Sequence, residues 1–134
     1  MTLETIKKRA MTFRRAFEAE HARRDADRHA REEAERMQQE EDLARAQKLH
    51  DMIAEDPAFL REKGITLDIR RYSVTLNHPD FVIDAYFEGG EIRVRSADKR
   101  TATTQTAAPR KSQTVDAVDD ALNLMAQYLA DETN

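Results

Sequence analysis

The sequence predicts an α+β fold: a long N-terminal helix with the seam of a coiled-coil arm, a short helix, and a three- or four-stranded antiparallel meander covered by a C-terminal helix. Three observations predict it. Thr2 to Glu55 contain neither glycine nor proline. From Ile65 the apolar residues switch to alternation, the period of a half-buried strand. After Thr114 they return to steps of three and four.

The first stretch is dominated by Ala, Arg, Glu, Leu, Met and Gln, which lose least on entering a helix. Five acid-to-base pairs stand at i,i+4 in the favourable order: Glu4–Lys8, Glu20–Arg24, Asp27–Arg31, Glu32–Arg36 and Glu41–Arg45. One uninterrupted helix of this length would run to roughly 80 Å, longer than a small body is wide. Part of it therefore needs a partner or stands in solvent. Leu3, Ile6, Ala10, Phe13 and Phe17 step 3-4-3-4 and form a narrow apolar seam, the candidate self-association surface. Beyond Phe17 the same side becomes Arg24, Arg28 and Arg31, and the seam stops. An alanine stripe from Ala19 to Ala34, ending in Met37, lies on roughly the opposite side. Ala46, Leu49 and Ile53 restore an apolar face suited to packing on a body. The chain accordingly divides into a helical arm, 1–42, and an α+β body, 43–134.

Asp56 suits an N-cap, Pro57 a first helical position and Gly64 the residue past a helix end, so a short helix spans 57–63. Ile65, Leu67 and Ile69 then alternate, and Tyr72, Val74 and Leu76 continue at the other parity. The slip at Arg70-Arg71 implies a bulge or a break. Asn77-His78-Pro79-Asp80 reads as a turn. Phe81 to Glu88 and Glu91 to Ser96 are two strands joined by Gly89-Gly90, a strong hairpin signal. Residues 97–112 are polar, with a weak edge strand around Thr101–Thr106 or a loop ending at Pro109. Thr114 is the expected N-cap of the last helix, with Val115, Val118, Leu122, Met125 and Leu129 as its buried seam.

Charged residues make up 36% of the 134 and aromatics 6%, with no Trp, so the core must be small. A body of that size is commonly helped by oligomerisation. There is no Cys, which excludes disulfide and thiolate chemistry. No apolar run approaches a membrane span and the Met1 end has no apolar leader core, so a cytoplasmic protein without membrane contact is expected. Charge is uneven. Residues 1–31 carry nine Lys/Arg against five acids, and residues 32–42 carry six acids against one Arg.

The sequence carries no catalytic or ligand signature. His21, Asp25 and His29 have the spacing of a metal set, but neighbouring Arg24 and Arg28 would repel a cation, which favours an exposed polar face. Asp116, Asp119 and Asp120 have a structural reason at a helix start. No cofactor is implied. The expectation is a non-enzymatic, oligomeric protein-interaction module of the adaptor, chaperone or inhibitor kind, a homodimer binding a larger partner. An antiparallel pairing is favoured because it lets basic arm meet acidic collar. The alternative is a nucleic-acid-binding accessory protein using Lys7, Lys8, Arg14, Arg15, Arg23, Arg24, Arg28 and Arg31 against phosphates. Interleaved acids and the lack of stacking aromatics weigh against it.

Overall fold

The computed structural model describes residues 12–100 and 108–133. Its elements run in the order α1 (Phe13–Ala54), α2 (Pro57–Glu62), β1 (Thr66–Arg70), β2 (Ser73–Asn77), β3 (Phe81–Glu88), β4 (Glu91–Asp98), β5 (Ala108–Val115) and α3 (Val118–Thr133). The fold is α+β, as the periodicities require. Two compact units divide between Met37 and Gln38, so the second unit includes the last part of α1.

Helix α1 is capped by Thr12, whose hydroxyl accepts the Arg15 N–H at 3.2 Å and whose carbonyl accepts the Ala16 N–H at 2.9 Å. Helix α2 begins where Asp56 accepts the Phe59 N–H at 3.1 Å, with Pro57 filling a position that has no helical donor duty. It ends in a Schellman motif. Gly64, at φ 71°, donates to the Arg61 carbonyl and Ile65 to the Leu60 carbonyl. Leu60 and Ile65 are both buried in the core, which is the apolar contact that usually accompanies this motif.

The sheet is a pure meander, β1-β2-β3-β4-β5, with every neighbouring pair antiparallel. The slip at Arg70-Arg71 is a break. Arg71 takes φ 50° in a tight turn that lets Arg70 pair with Ser73. Two strands therefore stand where one interrupted strand could have stood. Gly89 and Gly90, at φ 60° and 85°, close the β3–β4 hairpin with Glu88 opposite Glu91. Both φ values are positive, as the type I′ geometry demands. The expected edge strand around Thr101–Thr106 falls outside the described residues; the fifth strand is Ala108–Val115, with a register shift between Ser96 and Ala97.

The last helix starts later than the sequence suggests. Thr114 lies in β5 opposite Arg93, and Val115 lies opposite Ile92, so neither belongs to the helix. Their β-branched side chains favour the extended state they occupy. Val118, Ala121, Leu124, Met125, Tyr128 and Leu129 form the buried face of α3, whereas Leu122 sits at its margin, half-buried.

Alternation puts Val74, Leu76, Phe81, Ile83, Ala85, Phe87, Ile92 and Val94 on one side of the sheet. Helix α3 packs on β3 and β4 there, and Ala46 and Leu49 of α1 join the same core. One polar group fixes α1 within this unit. Asp42, only 3% exposed, accepts the Gly89 N–H at 2.9 Å and the Gly90 N–H at 3.1 Å, and Gln38 Nε2 donates to the same carboxylate at 3.0 Å. One turn on, Arg45 donates to the Gly90 carbonyl at 2.9 Å and to the Asp116 carbonyl.

Two stability outcomes follow from these contacts. A chain cut to begin at Gln38 unfolds cooperatively in a thermal melt. One cut to begin at Leu43 lacks Asp42 and is less stable by about 1–2 kcal/mol, because two partly buried turn amides lose a charged acceptor; Asp42→Ala in the full chain shows the same loss. Arg71→Gly raises stability by about 1 kcal/mol in urea unfolding, by removing the Cβ clash of a left-handed residue.

Candidate functional site

The N-terminal unit presents the predicted association surface. Phe13 is 90% exposed and Phe17 61%, values that a lone phenyl ring in water disfavours. Leu3, Ile6 and Ala10, and the basic Lys7 and Lys8, lie outside the described residues. Phe17 makes one ring contact, tilted against His21 at 5.9 Å between centroids.

The basic side chains of the same helix are largely occupied. Arg14 pairs with Glu18 at 3.0 Å, and Glu20 takes both Arg23 and Arg24. Arg28 bonds Asp25 at 3.0 Å. The hydrogen bonds from Arg23 and Arg24 hold the Glu20 carboxyl below its usual range, and the Glu20 bond in turn raises Arg23. Arg15 and Arg31 are exposed. Four of the six described cations, Arg14, Arg23, Arg24 and Arg28, thus pair with acids of their own helix. His21 leans on Asp25 at 3.3 Å while His29 turns to Glu32 at 3.9 Å, so the three residues with metal spacing do not converge. Among the described residues no group of three such side chains is placed to hold a metal.

The second unit carries its polar chemistry on the side of the sheet away from the core. Cross-strand register sets out two rows there. One reads Asp68, Thr75, Asp84, Arg95, Ser112, and the other Arg70, Ser73, Tyr86, Arg93, Thr114. Asp84 and Arg95 form a bidentate pair at 3.0 and 3.1 Å, which raises the Arg95 pKa. Arg70 bonds Asp68 at 3.2 Å. Tyr86, Glu88, Gly89, Glu91, Arg93, Arg95 and Thr114 line an open depression of about 500 Å³. It offers guanidinium and carboxylate groups side by side on a broad strand surface. Such a surface suits polar contact with another macromolecule better than enclosure of a small ligand, which needs a largely apolar cleft.

Buried polar groups elsewhere serve the fold. Asp98 accepts both the backbone N–H and Nε of Arg100, and Arg100 reaches Glu132 Oε2 at 2.9 Å, tying the end of β4 to the end of α3. Asp116, Asp119 and Asp120 are exposed around the start of α3. No helix among the described residues is long and apolar enough to cross a membrane. No protein family, curated protein or solved structure matches this chain.

Sequence reasoning placed the exposed phenylalanines but missed the two rows of the sheet. The register that assembles them depends on the turn at Arg71 and on β5, neither of which carries a strong local signal.

Proposed function

We propose that this chain is a non-enzymatic, oligomeric protein-interaction module of the adaptor, chaperone or inhibitor kind, acting in the cytoplasm. The N-terminal helix joins two copies, and the polar face of the sheet presents the second contact to a larger protein. The observation that carries the reading is the exposure of Phe13 and Phe17 on one side of a helix. Each ring gains ~1.5–3 kcal/mol on full burial, so two per chain favour association strongly. The open, mixed-charge depression on the sheet supports the second contact.

Light scattering tests the first part. The intact chain has twice the monomer mass at tens of micromolar, and Phe13→Ser/Phe17→Ser halves it. A monomeric intact chain, or a double mutant of unchanged mass, overturns the reading.

Nucleic-acid binding by the basic helix is the competing reading, and the acids bonded to Arg14, Arg23, Arg24 and Arg28 weaken it by compensating their charge locally. Duplex binding measured at about 50 and about 200 mM salt separates the two. A phosphate-binding helix loses on the order of a thousandfold in affinity across that range, whereas the module proposed here shows no such duplex complex to lose.

A further inference from the structure

The face that carries Phe13 and Phe17 does not end at Phe17. It continues, in steps of three and four, through Glu20, Arg24, Arg28 and Arg31. The six residues form a single stripe along α1, and all but Glu20, which is half-buried, are exposed. The stripe has an order: two aromatics, one acid, then three bases.

That order is self-complementary about its middle. In an antiparallel two-fold pair every contact of residue i with residue j is repeated as j with i. With the axis at residue 22, Phe13 falls opposite the partner copy's residue 31, Phe17 opposite 27, one residue from Arg28 on the stripe, and Glu20 opposite 24. Each phenyl face then meets a guanidinium, a favourable cation–π arrangement that strengthens when water is excluded. Each Glu20, which accepts from Arg23 and Arg24 of its own chain, comes level with Arg24 of the other. A parallel in-register pair would instead stack Arg24, Arg28 and Arg31 on their own copies, three like-charge contacts in succession.

We propose that two copies of this chain associate through an antiparallel helix pair centred near Ala22, in which Phe13 and Phe17 of each copy stack on Arg31 and Arg28 of the other. This specifies the partner and register of the association proposed above and rests on it.

The chain has no cysteine, so single Cys substitutions can be spin-labelled without removing native thiols. Ala16→Cys, Ala22→Cys and Ala34→Cys lie off the stripe. In an antiparallel pair centred at 22, the axial offset between the two labels is near zero at position 22, roughly 18 Å at 16 and roughly 36 Å at 34, from a rise of ~1.5 Å per residue. Pulsed dipolar spectroscopy is expected to give this V-shaped series of distances. One short distance at all three positions means a parallel pair and overturns the register. A V with its minimum away from residue 22 overturns the Phe–Arg contacts. Absence of any interchain dipolar signal means that copies do not pair through this helix, which overturns the association itself and so is distinguishable from the other two outcomes.

Discussion

One carboxylate holds the second unit together at its most constrained point. Asp42 sits on the turn formed by Gly89 and Gly90 and accepts both of their amides. A two-residue turn with φ positive at both positions points its N–H groups outward, and where α1 lies against them an acceptor other than water is needed. Asp42 removes that cost and adds charge-assisted bonds. Arg45 then takes the Gly90 and Asp116 carbonyls, so donors and acceptors of the hairpin end are satisfied from one turn of helix. The burial of Ala46 and Leu49, one and two turns further on, depends on this fixed starting point.

Around that anchor the sheet separates its two chemistries cleanly. The core side is filled by aliphatic and phenyl side chains under α3. The other side is almost wholly polar, with acids and bases paired across strands, as at Asp84 and Arg95. The single large aromatic exposed on the strands is Tyr86, among the described residues, and its hydroxyl gives it a polar tip. Such a face is soluble without being inert, because guanidinium and phenol groups are those most often used in protein contacts.

Much of this was legible in the residues, where a local rule has few exceptions. Asp56-Pro57 and Gly64 bracket α2 because cap chemistry is nearly context-free, and Gly89-Gly90 admits little besides a hairpin. The alternation of Phe81, Ile83, Ala85 and Phe87 against Ile92 and Val94 fixed which side became core. The rest depends on distant partners. A left-handed Arg71 has no sequence signature, since non-glycine residues reach that region only when the surrounding strands impose it. The strand APRKSQTV is polar and contains proline, which is how an edge strand is kept from pairing further and also why it resembles a loop. Asp42 is one acid in a run of acids, and nothing local separates the buried one from its exposed neighbours Glu40 and Glu41. Arg45 had an acid at i−4 as its obvious partner, yet the carbonyls of two distant connections, Gly90 and Asp116, claimed it.

The pure meander has a consequence for the order in which contacts can close. Each strand pairs with the one made just before it, so the loops to be closed are short and their entropic cost is low. The bonds that fasten α1 are of another kind: Asp42 to the glycine turn spans 47 and 48 positions, and Arg45 to Asp116 spans 71. During synthesis the helix emerges before the glycine turn and the Asp116 carbonyl that anchor it. The hairpin has to exist before Asp42 has anything to grip. The long helix is therefore available to another chain throughout the interval in which its own body is still being made.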